Sequence, residues 1–194
     1  DAKYVKLSSR HHTFLTKRFD RTASGKRQHF ASAMTLTGSI DGADASSGAS
    51  YLELADLIMR KGASALTDLA ELWGRLVFNL CVCNTDDHLR NHGFLLVGQD
   101  GWRLSPAYDL NANPDGDALT LNITENDNRL ALELAMEVTE SFRLKISDAR
   151  KRMKEIRKAV GRWRGVASSI GISRAEQDRM APAFRLAEQE ERTR

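Results

Sequence analysis

The residue types that can do chemistry concentrate in one run, Cys83-Asn84-Thr85-Asp86-Asp87-His88-Leu89-Arg90-Asn91-His92-Gly93. A companion run follows at Leu104-Ser105-Pro106-Ala107-Tyr108-Asp109-Leu110. Four residues separate Asp86 from Asn91, and a second acid stands at Asp109. An acid, an asparagine and a later acid, in that order, outline a magnesium-dependent phosphoryl-transfer site. The first acid accepts or orients the proton of the attacking hydroxyl. The asparagine and the later acid hold metal on the nucleotide phosphates. Mg2+ is a hard ion that takes oxygen ligands and keeps several waters. A carboxylate and an amide carbonyl therefore suit it, because ATP supplies the remaining charge. Asp87 is the rival base, but its spacing to Asn91 is one residue short. His88 and Arg90, in the same loop, are positioned to orient phosphate or substrate, with Tyr108 packing beside the nucleotide.

Such a site needs elements that hold it. Residues 93–98 read as a strand, Gln99-Asp100-Gly101 as a tight turn and 102–104 as the returning strand, which brings Asp109 back toward Asn91. Residues 67–83 carry Leu69, Leu72, Trp73, Leu76, Val77 and Leu80. Apolar residues surround that helix on more than one side, so it is the buried support that delivers the chain into the Asp86 loop. Upstream, residues 4–7 and 13–19 read as two strands joined by 8–12. Residues 29–36 read as a short helix, 38–50 as a flexible loop, and 50–60 as an amphipathic helix. His29 either faces the nucleotide, as a phosphate or substrate contact, or is structural. Downstream, 119–123 alternates like a strand, and helices are expected over 129–141, 147–166 and 174–191. Ser173 and Glu176 have the spacing of a capping box on the last helix, and 188–194 reads as a frayed, charged end. The fold class is mostly α (α+β), with a small antiparallel β element near the catalytic loop.

The chain has 194 residues, 41% hydrophobic and 28% charged, enough for one ordinary core. A net charge of +3 does not by itself argue for nucleic acid, so direct nucleic-acid contact stays open. No apolar run approaches the roughly eighteen residues of a membrane span. Cys81 and Cys83, two residues apart on a helix, read as small core residues rather than zinc ligands with His88 and His92. Two thiols without a framework fit the cytoplasm.

The run from Asn84 to Phe94, followed by Trp102-Arg103-Leu104-Ser105-Pro106-Ala107-Tyr108-Asp109-Leu110-Asn111, resembles the C-terminal lobe of HipA-like serine/threonine kinases, the toxins of bacterial toxin–antitoxin systems. Lys17-Arg18-Phe19-Asp20-Arg21 is similar to the interlobe segment of that family. The resemblance runs from about Phe14 to the end. It implies a protein-kinase-like helical lobe over 21–194, with 1–20 as the end of the small lobe and the hinge. It implies ATP and Mg2+ as cofactors, Ser/Thr of a protein as acceptor, and a HipB-like DNA-binding antitoxin as partner. It places Lys17 and Phe19 at the hinge, where backbone groups bind adenine. The His-Arg that precedes the catalytic acid in ordinary protein kinases is absent, and Asn84-Thr85 stands there. The order Asp86-x-His88-x-x-Asn91 is also similar to phosphoinositide-type lipid kinases, so a small-molecule or lipid phosphotransferase remains an alternative, as does a non-catalytic partner- or DNA-binding lobe. No glycine-rich phosphate loop precedes Asp86, and Lys3, Lys6 and Lys17 have no convincing helix partner. The expectation is that most of the small lobe lies upstream of Asp1 and that the chain alone is inactive.

Overall fold

A computed structural model describes residues 2–7 and 13–189. The expected connection 8–12 and the charged end 190–194 lie outside the described residues. Strands β1 (Ala2–Val5) and β2 (Thr13–Thr16) pair antiparallel. β3 (Phe30–Ser32) runs directly into helix α1 (Ala33–Thr37). α2 (Tyr51–Lys61) and α3 (Ala65–Val82) follow, then the hairpin β4 (Gly93–Val97) and β5 (Gly101–Leu104). The chain ends in α4 (Leu132–Glu137), α5 (Ile146–Val160), α6 (Trp163–Ser169), α7 (Arg174–Met180) and α8 (Arg185–Glu188). Helices dominate, and the second sheet has the order β3-β4-β5, all antiparallel.

α3 is the axis. Leu69, Leu72, Trp73, Leu76, Val77 and Leu80 are fully buried, and each contributes about 1.5–3 kcal/mol when removed from water. They are covered because α2, α4, α5 and α8 all pack on this helix. Trp73 satisfies its indole N–H on the Ala135 carbonyl of α4 at 2.8 Å. The polar residues that interrupt the apolar pattern of α3 clamp the sheet. Buried Asp68 accepts from the Leu104 backbone N–H at 2.9 Å and from Arg103 Nε at 3.0 Å. Buried Arg75 donates Nη2 to the Ser105 carbonyl at 2.5 Å. β5 and the residues after it are thus fixed to the most buried helix of the molecule.

Several expected elements differ. Residues 29–36 are not one helix: Phe30 and Ala31 pair with Leu95 and Phe94 of β4, and the helix starts only at Ala33. The Ser32 hydroxyl caps it by accepting from the Thr35 N–H, and a strand partner far along the chain outweighs local helix propensity. β2 ends at Thr16 rather than at Phe19. The loop after Gly38 is ordered around a 3-10 turn, Ala45–Ser47, with a capping box between Asp44 and Ser47. Residues 119–123 make no ladder. Leu119, Leu121 and Ile123 point into the core, while only a single parallel bridge joins Asn122 to Ser50. The helix expected over 129–141 is confined to α4. The helix expected over 147–166 breaks at Gly161, and α6 restarts at Trp163. The last helix has the expected Ser173–Glu176 capping box but ends at Met180. Pro182 follows at the start of a 3-10 turn, where it lacks an N–H for a continuing α-helix.

Candidate active site

α3 ends at Cys83, which takes a left-handed conformation (φ 49°) and returns its N–H to the carbonyls of Asn79 and Leu80. This reversal turns the chain out of the core, and Asp86 emerges exposed. The next residue goes the other way. Asp87 is buried, with Oδ2 accepting from the Tyr51 hydroxyl and lying 2.9 Å from His92 Nε2. Burial pushes the Asp87 carboxyl up, but His92 and the Tyr51 hydroxyl outweigh it and hold it below the usual carboxylate range. The network continues inward. Asn79 Nδ2 donates to the Tyr51 oxygen at 2.9 Å, and Asn84 Nδ2 donates to Asn79 Oδ1 at 3.1 Å. The network ties the loop to α3 and α2, although Asn84 Oδ1 and His92 Nδ1 are buried without a partner among the described residues.

The loop closes through a 3-10 turn, Leu89–Asn91. Asn91 Nδ2 donates to the Asp86 carbonyl at 3.0 Å. The nitrogen is thereby engaged, and the amide keeps its oxygen, the atom a hard cation takes. β4 starts at once, β5 returns beside it, and Ser105 N–H donates to the Gly93 carbonyl at 2.8 Å. The segment after Ser105 therefore runs back along the Asp86–Asn91 loop. The Tyr108 hydroxyl fastens it there by donating to the Arg90 carbonyl at 2.6 Å. Burial pushes the Tyr108 phenol up to about 12, so it remains a donor at neutral pH. The next residue, Asp109, is exposed and sits at φ 55°. Left-handed backbone is uncommon outside glycine and is tolerated best by Asp and Asn. Asn111 Nδ2 holds one carboxylate oxygen of Asp109, Oδ1, at 2.8 Å.

Two glycines make room for this arrangement. A Cβ at Gly93 would stand 2.3 Å from the Phe30 ring and 2.9 Å from Ser105 Oγ. A Cβ at Gly116 would stand 2.4 Å from the Thr85 side chain. Thr85 is further held by Asn113 Nδ2 on its hydroxyl at 2.7 Å and by the Thr120 hydroxyl on its carbonyl at 2.6 Å.

Of the expected site residues, Asp86, His88, Arg90 and Asn91 share this loop, Tyr108 is brought to it through the Arg90 carbonyl, and Asp109 follows Tyr108 in the chain. Arg90 Nη2 lies 3.3 Å from His88 Nε2. A guanidinium can only donate, so Nε2 accepts and the neutral ring carries its proton on Nδ1. That Nδ1 is buried with no partner among the described residues. Arg90 also pairs with Asp41. Phe19 joins Tyr108 at 5.8 Å and Phe30 at 6.0 Å between ring centroids, forming an aromatic wall beside the loop. Lys17 lies exposed just past β2. His29 is not brought to the loop. Its carbonyl accepts from the Leu96 N–H, farther along β4, and its ring packs on Trp102 at 5.5 Å. Sequence reasoning missed Phe30, Asp41, Asp68, Arg75 and the network of Tyr51, Asn79, Asn84 and His92. A cation and an asparagine inside the apolar run of α3 were the available signals for Arg75 and Asn79. Tyr51 and Asp41 had none. Cys81 and Cys83 are buried, and among the described residues no group of three or more His, Cys, Asp or Glu is arranged to hold a metal.

The fold and the loop together define an α+β lobe whose polar site stands on the end of a buried helix. The profile of the HipA-like C-terminal domain matches residues 1–163, and the chain belongs to that family. A HipA chain solved as the "Shewanella oneidensis MR-1 Toxin Antitoxin System HipA, HipB and its operator DNA complex" superposes on 96% of this chain with a TM-score of 0.72 at 18% identity. A Haemophilus influenzae protein named "Putative kinase" is 31% identical over 102 residues, half of this chain. The chain spans 49% of the Shewanella chain and 29% of the Haemophilus protein.

Proposed function

We propose that this domain is the metal- and substrate-side lobe of a kinase that transfers the γ-phosphoryl group of ATP to a serine or threonine of a protein. The observation that carries the reading is the contrast between the two adjacent acids. Asp87 is consumed by Tyr51 and His92, whereas Asp86 is exposed and strapped through its carbonyl to Asn91. Asp86 is the general base. It takes the proton of the attacking hydroxyl as that oxygen bonds to the γ-phosphorus. The bond from phosphorus to the β–γ bridging oxygen breaks, and ADP leaves with the electron pair.

The donor set fits Mg2+. The Asn91 amide oxygen and the Asp109 carboxylate are hard oxygen ligands, and two protein ligands are what an ion that keeps its waters and takes nucleotide phosphates requires. Bound there, the ion supplies neutralisation of phosphate charge. The residues of the chain do the rest. His88 stands beside Arg90 in the loop, where its ring orients the Arg90 guanidinium. Arg90 orients phosphate or substrate. The rings of Phe19, Phe30 and Tyr108 offer an apolar wall for adenine, with the Lys17–Phe19 backbone as hinge.

The family supports a HipB-like DNA-binding antitoxin as partner, since a relative was solved in complex with HipB and operator DNA. Two reduced buried thiols support a cytoplasmic setting, and among the described residues no helix is long and apolar enough to cross a membrane. The test is a radiolabel transfer assay with the intact protein and Mg-ATP, offering a protein lysate beside small alcohols. Label on phosphoserine or phosphothreonine is the expected result. Label on a small alcohol or lipid alone would move the assignment to a small-molecule phosphotransferase.

A further inference from the structure

Beside β3, a cavity of about 550 Å³ is lined by Arg18, Asp20, Arg21, Arg27, Gln28, His29 and Phe30. Three guanidinium groups and one carboxylate meet there. Asp20 is shared between two of them. Its Oδ1 accepts from Arg18 Nε at 2.8 Å, and its Oδ2 accepts from Arg18 Nη2 and Arg21 Nη1, each at 2.6 Å. Arg18 holds the Asp20 carboxyl down at about 2. The carboxylate is thus a permanent organiser of both guanidiniums. Arg21 also donates to the Asp20 carbonyl at 2.9 Å.

The third cation arrives by backbone geometry. Residues 21–27 form a tight reversal, with Thr22 N–H donating to the Lys26 carbonyl and Gln28 N–H to the Asp20 carbonyl. Arg21 and Arg27 are the cross-strand partners that close it. Like charges directly opposite one another are destabilising, and no described carboxylate pairs with Arg27. This chain therefore spends local stability to bring Arg27 against an already organised arginine pair.

We propose that this cavity is an oxyanion site for a phosphate monoester, separate from the nucleotide-transfer loop. Three guanidiniums against one carboxylate leave two positive charges, which match the roughly −1.5 to −2 charge of a phosphorylated side chain at neutral pH. The planar forks offer paired N–H donors suited to phosphate oxygens. The volume admits a phosphorylated side chain of a polypeptide as well as a free phosphate ion. The site lies on the flank of Phe30, itself in the aromatic wall, so a phosphorylated segment seated there reaches the edge of the candidate active site. The proposal does not depend on the kinase reading, because binding is measured without nucleotide.

The test is calorimetric titration of the intact protein with N-acetyl-O-phosphoserine amide, with inorganic phosphate and with N-acetyl-aspartate amide. The phosphoserine probe is expected to bind more tightly than the aspartate probe. Phosphate equal to phosphoserine names the free ion as the source and still supports the site. Arg27→Gln should weaken phosphoserine binding about tenfold or more, and Arg27→Lys should weaken it several-fold by keeping the charge and losing the fork. Asp20→Asn separates a built cradle from diffuse attraction. It removes a negative charge, so diffuse attraction predicts tighter binding, whereas loss of the organiser predicts weaker binding. No phosphoserine or phosphate binding, binding unchanged in Arg27→Gln, or tightening in Asp20→Asn would each overturn the proposal.

Discussion

The side-chain amide of Asn91 reaches back five residues to the carbonyl of Asp86, at 3.0 Å. One residue thereby sets the shape of the loop and, in the proposed mechanism, presents an oxygen to the metal. Asn91→Ala removes both and should lower phosphoryl transfer about a hundredfold or more. Asn91→Asp keeps an oxygen ligand but sets a carboxylate against the Asp86 carbonyl. It should retain part of the Mg2+ dependence with a loop that is more open to proteolysis. Magnesium titrations of transfer rate in both variants check this.

Tyr51 is fully buried and joins two elements, since its hydroxyl donates to Asp87 and accepts from Asn79. Tyr51→Phe keeps the ring and leaves both partners short of a bond inside the core. The expected loss is about 1–3 kcal/mol of stability, read as a lower Tm by calorimetry. Transfer measured well below that Tm should fall less than in any variant of Asp86.

Gly93→Ala places a methyl group where the Phe30 ring and Ser105 Oγ now stand. Overpacking of this kind costs about 1–3 kcal/mol. Because Phe30 belongs to the aromatic wall, nucleotide affinity should drop together with Tm. A Tm loss with unchanged affinity would show that Phe30 yields without disturbing the wall.

Burial pushes the Cys81 thiol up from 9.0 to about 12, and burial raises Cys83 as well. The folded value of Cys81 lies above the unfolded one. Its contribution to stability is therefore complete below about pH 9 and is lost as pH rises from there toward about 12. Native protein at pH 8 should react with a thiol reagent far more slowly than denatured protein, and stability should decline through that alkaline window. Fast native labelling of both thiols would contradict their buried placement.

Local signals were legible in the sequence and long-range ones were not. The Asp86–Asn91 loop, the β4–β5 hairpin and α3 are each written within a short stretch, as motif spacing, a turn and an apolar helix. β3 was unreadable because Phe30 and Ala31 become strand only by pairing with Leu95 and Phe94. The polar network under the loop ties Asn79, Asn84, Asp87 and His92, which lie in one stretch, to Tyr51 on α2, and that remote partner is what no window of sequence contains. The breaks at Gly161 and Pro182 were printed in the sequence, and apolar periodicity running across them concealed both. His29 shows the reverse failure: its residue type suggested chemistry at the loop, and β pairing carried it to Trp102 instead.

The central claim is that Asp86, not its buried neighbour, carries the base. The direct measurement is single-turnover transfer from labelled Mg-ATP by the intact protein, comparing Asp86→Asn with Asp87→Asn and measuring nucleotide affinity and Tm in each. Asp86→Asn is expected to slow transfer by about 10²–10⁴-fold, with nucleotide affinity and Tm close to the parent. Asp87→Asn is expected to lower Tm by disturbing Tyr51 and His92 and to retain more transfer at a temperature where it is folded. Loss of transfer in a fully folded Asp87→Asn, with Asp86→Asn still active, would contradict the account.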